Sequence, residues 1–239
     1  MLLVVNGCSH STGAEIEETK SSSCYEKAWP KHLADLKKWN HINLATSGAS
    51  CSKILRTTYE FIGNTKTVKD LFVIIMWPGP YRTELYHSKY ADHPLWKGWL
   101  NLVVGNEDAY KGKIPKDAFD YYRHWAYSYT YEQAFTEYAI AVLSMQSYLR
   151  SYNIPYLFWN AATTHLLKDK PYDAFARQIY IKRFPYPFDG EKCYWKLLHN
   201  GGQKIIKPSW RCQHYDEESQ KYWANFLSHY IDKNQLASC

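Results

Sequence analysis

The 239 residues contain no CxxC pair, although six cysteines are present at positions 8, 24, 51, 193, 212 and 239. Without that pairing or a zinc-type spacing, a structural metal or a dithiol redox centre has no support. In a chain of this length, reduced thiols in a cytoplasm are the expectation. No apolar run approaches the ~20 residues that would span a bilayer, so a membrane is not an expected partner. A charged n-region is missing as well, and Leu2–Val5 is too short for the apolar part of a secretion signal. Lys and Arg exceed Asp and Glu by six but form no block, so a nucleic-acid partner is not expected either. None of the ten histidines falls in an HExxH pattern, and the sequence calls for no metal or other cofactor. Repeats and low-complexity tracts are also absent. Nothing in the pattern sets the oligomeric state.

What is present is apolar and aromatic: 46% hydrophobic residues, with 22 Tyr and 10 Trp. That suffices for one large α/β domain spanning residues 1–239 and is short for two. Strand-like runs occur at Leu2–Val5, His41–Leu44, Leu71–Met76 and Tyr156–Trp159. Each is short and lacks clean alternation, as in parallel strands buried on both faces. Between them, Ala28, Trp29, Leu33 and Leu36 recur at helical spacing, as do Ile54, Leu55, Thr58, Phe61 and Ile62. Longer helical patterns run from Ala134 to Tyr152 and from Glu217 to Ile231. The alternation predicts a three-layer α/β/α sandwich with a central parallel sheet, flavodoxin-like in plan. Residues 85–130 and 165–210 break the rhythm and read as insertions over one rim of the sheet, the Tyr/Trp-rich first one either a lid packing its aromatics on the core or a surface that stacks on sugar rings or bases.

In such a sheet the site lies at the carboxyl ends of the strands. "NGCSHSTG" (Asn6–Gly13), "TSGAS" (Thr46–Ser50) and "WPGPYRTE" (Trp77–Glu84) all follow a predicted strand end. Ser9 taken alone reads equally as a turn or helix-capping serine, and Ser11 or Thr12 would serve that role as well. Cys8 reads as a small packing residue. Asp216, just before the last helix, reads as its cap, with a catalytic role as the alternative.

"GCSHSTG" resembles the nucleophile block of the SGNH (GDSL-like) hydrolases, and "NLATSGAS" resembles their second block. "RCQHYDEESQKYWANFL" resembles the last block, whose histidine precedes the final amphipathic helix. The string "AWPKHLADL…INLATSGASCSKILRTTYEFI" is similar to members encoded by bacteriophages. The resemblance implies Ser9 as nucleophile, His214 as general base, and the backbone N–H groups of Ser9 and Gly48 as an oxyanion hole. A serine hydroxyl needs such a base at neutral pH, and a histidine suits the task. The implied activity is ester hydrolysis on a small-molecule or glycan ester, O-acetyl groups among them. The alternatives are an acyltransferase using the same residues, or a binding or virion-associated protein that has lost catalysis. Two departures stand out. The family's oxyanion Asn is replaced by "WPGP" (Trp77–Pro80), and the Asp three residues before the histidine is Arg211. From position alone, Asn160 is a candidate for the missing amide. His10, Trp77, Arg82 and Glu84 are candidate substrate contacts, Arg82 and Glu84 as an ion pair lining the pocket or with Arg82 binding an anionic group; a plain surface salt bridge is the competing reading of that pair.

Overall fold

A computed structural model describes residues 1–16, 24–79, 81–92, 97–162, 174, 177–187, 189–206 and 214–237. Pro80, Arg211 and, within the 165–210 stretch, residues 165–173, 175–176, 188 and 207–210 lie outside the described residues. Four strands, β1 (Leu2–Gly7), β2 (Asn40–Asn43), β3 (Leu71–Trp77) and β6 (Tyr156–Asn160), form one sheet in the order β2-β1-β3-β6. All three pairings are parallel, with Val4 opposite Ile42 on one side and Val73 on the other. The chain therefore steps from β1 to β2, then reverses across β1 to reach β3. Right-handed crossovers put the two connecting helices on opposite faces when the direction reverses.

The packing follows that rule through the period-two alternation of strand side chains. Val4, Val73, Ile75, Trp77 and Phe158 point to the face covered by α3 (Cys51–Gly63) and α6 (Tyr131–Ser151), meeting Ile54, Ile62, Val142 and Met145. Leu3, Val5, Phe72, Ile74, Met76, Leu157 and Trp159 point to the other face. There they meet Trp29 and Leu33 of α2 (Trp29–Lys37), with Trp223 and Leu227 of the last helix, α8 (Glu217–Lys233). Every residue of β3 is buried, which is why its sequence shows no alternation. The three-layer α/β/α class expected from the sequence is the observed one.

Helix starts are set by side-chain oxygens that accept otherwise orphaned backbone N–H groups. Ser50 accepts from Lys53, Thr130 from Gln133, and Asp216 from Ser219. Asp216 also accepts from the Ser219 hydroxyl at 2.7 Å. Its role as a cap is thereby established.

The 85–130 stretch is more regular than its composition suggests. An antiparallel hairpin, β4 (Arg82–Tyr86) with β5 (Trp99–Val103), is followed by the short α4 (Glu107–Tyr110) and by α5 (Lys116–Ser128). Leu100, Leu102, Ala118 and Tyr122 make a small core of their own. Two tyrosines cap a strand edge: Tyr110 Oη accepts the Val103 N–H, and Tyr122 Oη donates to the Val103 carbonyl. The hairpin docks on the second loop and α3, where Asn101 Nδ2 donates to the Ser47 carbonyl and the Arg56 guanidinium lies 4.2 Å from the Trp99 ring centre. No described helix is long and apolar enough to cross a membrane.

Candidate active site

Strand order reverses between β1 and β3, and the carboxyl ends of strands at such a reversal are where α/β sheets bind ligands. At the end of β1, Asn6 is buried and fully engaged. Its Oδ1 accepts the Gly7 N–H (2.8 Å), while Nδ2 donates to the hydroxyls of Thr57 (2.8 Å) and Thr58 (2.9 Å) on α3. Gly7 is where the chain turns against β3. A Cβ there would lie 2.7 Å from Ser11 Oγ and 3.0 Å from both Met76 Cβ and the Met76 carbonyl. The turn α1 (Ser9–Thr12) then begins at Ser9. The Ser9 carbonyl accepts from the Thr12 hydroxyl (3.1 Å) and from the N–H groups of Gly13 and Ala14, fixing the turn. Of its three hydroxyl residues, Ser11 and Thr12 are buried and Ser9 keeps an exposed face. Cys8 is fully buried, in keeping with a packing role.

The Gly48 loop is tied to this turn. The Thr46 N–H donates to the Gly7 carbonyl (3.2 Å), Asn43 Nδ2 donates to the Ser11 carbonyl (2.7 Å), and the Thr12 and Ser47 hydroxyls lie 3.5 Å apart. Gly48 has φ +75°, a left-handed conformation that glycine adopts without a Cβ penalty.

His214 arrives from the other end of the chain. It is held by a short antiparallel bridge: the Ile206 N–H donates to the His214 carbonyl (2.9 Å) and the Asp216 N–H to the Lys204 carbonyl (3.2 Å). Its imidazole centre lies 5.1 Å from that of His10, the residue next to Ser9. The far side of His10 meets Tyr194 at 5.2 Å, at the start of α7 (Tyr194–Asn200). Tyr194 Oη in turn accepts from Gln220 Nε2 on α8. His214 Nδ1 lies 3.0 Å from Oε2 of Glu15, a residue the sequence did not single out. A carboxylate on Nδ1 selects the Nδ1–H tautomer and leaves Nε2 as the basic nitrogen.

His10 is held neutral. Burial lowers its pKa well below the usual histidine value, and the neighbouring His214 and Arg82 charges lower it further. Its Nδ1 is buried with no partner among the described residues. Burial also pushes the Cys51 thiol up to about 12; Cys51 is thus an inert thiol.

The remaining candidates divide. Arg82 sits on β4 with Nη1 3.5 Å from the Ala49 carbonyl, next to Gly48, and has no carboxylate partner among the described residues. Glu84 pairs with Arg56 instead of Arg82, at 3.1 Å from Nε and 2.8 Å from Nη2, with its side chain only 5% exposed. Residues 82 and 84 share a face of β4, but α3 presents the nearer guanidinium to Glu84. Trp77, expected to touch substrate, is fully buried against Tyr138 and Phe158. The odd positions of β3 face α3 and α6, so its indole belongs to the core. Asn160 ends β6 as expected, yet its carboxamide is engaged inside the protein. Tyr138 Oη donates to Oδ1, and Nδ2 donates to the Pro187 carbonyl. Only 3% exposed, it presents no accessible donor to a substrate.

Residues 12–236 match a family described as of unknown function, DUF6071, and the chain belongs to that family. No curated protein matches it. Its backbone is similar to several solved structures, all at low identity. One is a member of the lipolytic protein G-D-S-L family from Veillonella parvula (11% identity, TM-score 0.45, covering 98% of this chain and 97% of that one). Another is the psychrotrophic esterase EstA from Pseudoalteromonas sp. (11%, 0.49, 97% of each chain). A third is a carbohydrate acetylesterase family member from Sinorhizobium meliloti (12%, 0.48, 98% and 99%).

Proposed function

We propose that this chain is a serine ester hydrolase in which Ser9 is the nucleophile and His214 the general base. The observation that carries the reading is the 5.1 Å contact between the rings of His10 and His214. Nothing in sequence distance requires it. It sets a histidine that just precedes the last helix beside His10, the neighbour of the partly exposed Ser9 in the β1 turn, at the strand-order reversal where such sheets bind ligands.

In the first half-reaction Ser9 Oγ attacks the ester carbonyl carbon as its proton passes to His214 Nε2. The carbonyl π electrons move to oxygen, which the backbone N–H groups of Ser9 and Gly48 stabilise. Collapse breaks the bond to the alcohol, which leaves with the proton from His214. Water then repeats the cycle on the acyl-serine; a second alcohol in its place would make the reaction a transfer. Small acyl esters, including O-acetyl groups on a glycan, are the proposed substrates. The likeness to bacteriophage-encoded members rests on the motif string alone.

A second reading has one observation in its favour. With Asn160 committed to Tyr138 and Pro187, the family's side-chain oxyanion donor has no replacement from β6, as in a binding protein that has lost catalysis. Steady-state hydrolysis of p-nitrophenyl acetate separates the two. Catalysis predicts turnover that falls on the order of 10³-fold or more in both Ser9→Ala and His214→Ala. Turnover equal to a boiled control, or unchanged in Ser9→Ala, selects the binding reading.

A further inference from the structure

We infer that Glu15 is the positioning residue of the site: its carboxylate orients His214, taking the place of the acid that the chain lacks beside its histidine. The inference rests on the hydrolase reading above. Five observations support it.

The residue three before His214 is an arginine, so that position offers no carboxylate. Asp216, two residues after, is the α8 cap and is bonded to the Ser219 N–H and hydroxyl through one oxygen, Oδ1. Glu15 Oε2, by contrast, lies 3.0 Å from His214 Nδ1. The two side chains are 26% and 14% exposed, so the contact is shielded from water on most sides. Finally, Glu15 holds φ +66°, directly after the Gly13–Ala14 turn in which Gly13 is also left-handed. A non-glycine residue in that region is strained, and such outliers cluster where a side chain must be aimed.

This geometry has a consequence for how the site is assembled. Ser9 and Glu15 sit in one tight loop, pinned by the three hydrogen bonds that converge on the Ser9 carbonyl. Nucleophile and positioning carboxylate are therefore fixed to each other, and the histidine is the part delivered from elsewhere. In the chemical step Glu15 stays ionised. It accepts the Nδ1–H, keeps Nε2 free for the Ser9 proton and stabilises the imidazolium that forms; it does not take the proton itself.

The test uses the full chain in wild-type, Glu15→Gln, Glu15→Ala and Ser9→Ala forms, with kcat and KM measured on p-nitrophenyl acetate. Glu15→Gln is expected to lose on the order of 10²–10⁴-fold in kcat, with KM within about threefold of wild type. Added formate is expected to restore part of the Glu15→Ala loss, which a purely structural role would not show. A Glu15→Gln kcat within threefold of wild type, while Ser9→Ala is dead, overturns the role of Glu15 and leaves the hydrolase standing. No Ser9-dependent turnover in the wild type overturns both. A second readout needs neither substrate nor variant stability: ¹⁵N shifts of the wild-type His214 ring. A dominant Nδ1–H tautomer supports the proposal, and a dominant Nε2–H tautomer overturns it.

Discussion

Two glycines at the site make a paired experiment, because the same substitution meets different physics at each. At Gly7 the backbone accepts any residue, but an added Cβ lands 2.7 Å from Ser11 Oγ and 3.0 Å from the Met76 carbonyl. Ser11 is buried and the Met76 backbone belongs to β3, so neither moves freely. Overpacking of this kind costs about 1–3 kcal/mol; three simultaneous contacts under or at 3.0 Å put Gly7→Ala near the top of that range. At Gly48 the nearest atom to an added Cβ is Asn101 Cβ at 3.8 Å, ordinary van der Waals contact. The penalty there is the left-handed φ of +75°, about 1–2 kcal/mol for a residue with a Cβ. Reduced freedom of the unfolded chain returns about 0.4–1 kcal/mol. The return applies at both sites, so Gly48→Ala is expected to lose about 0–1.6 kcal/mol and Gly7→Ala about 2–2.6 kcal/mol. For a chain of this size those losses correspond to at most about 6 °C and to about 4–10 °C in Tm. Urea unfolding followed by tryptophan fluorescence, with thermal melts in parallel, measures both. A Gly7→Ala protein as stable as Gly48→Ala would refute the idea that β1 turns into the Ser9 loop through a contact only glycine permits.

Further outcomes follow from single contacts. Asp216→Ala should cost about 1 kcal/mol by loss of the α8 cap and leave Ser9-dependent turnover within a few-fold, since Asp216 faces Ser219; a loss of several hundredfold would place it in the chemistry instead. Glu84→Ala should cost about 2–3 kcal/mol in chemical denaturation, because it leaves the half-buried Arg56 guanidinium without its main partner; a neutral result would contradict the pairing. His10 binds its proton more weakly folded than unfolded, so the unfolded state holds more protons below pH ~6.5. Stability should therefore fall as pH drops below that value, by up to about 1.4 kcal/mol per unit from this group until its folded pKa is passed. His10→Gln should remove that part of the slope in denaturation curves taken between pH 7.5 and 5. Arg82→Gln removes a cation that depresses His10, so the His10 pKa should rise in an NMR titration; a fall would show that the guanidinium does not face the ring.

The layer architecture was legible because each sheet strand is a short apolar run and each flanking helix carries its stripe at helical spacing. Strand ends shifted by a residue or two, as at Asn40–Asn43, because polar ends such as Asn6, Gly7 and Asn160 pair in the ladder although composition marks them as turn. The hairpin and α5 were hidden for the opposite reason: tyrosines and tryptophans there pack on one another and bond strand backbone, so no simple apolar period remains. At the candidate site, motifs singled out Ser9, Gly48 and His214; the structure ties the turns of the first two together and sets the His214 ring against His10. Trp77 and Glu84 were misplaced because strand phase decides which way a side chain points, and a strand end alone does not give that phase. Glu15 left no motif. Its carboxylate reaches His214 through a left-handed backbone turn across a contact between residues 15 and 214, and only three-dimensional proximity reveals it.

The central claim is that Ser9 is an activated nucleophile, and covalent capture tests it most directly. The wild-type protein and Ser9→Ala would each be incubated with a fluorophosphonate, then read by intact mass and peptide mapping. The account predicts one adduct per chain, mapped to Ser9, and none in Ser9→Ala. An unmodified wild type, or an adduct that persists in Ser9→Ala, would contradict it.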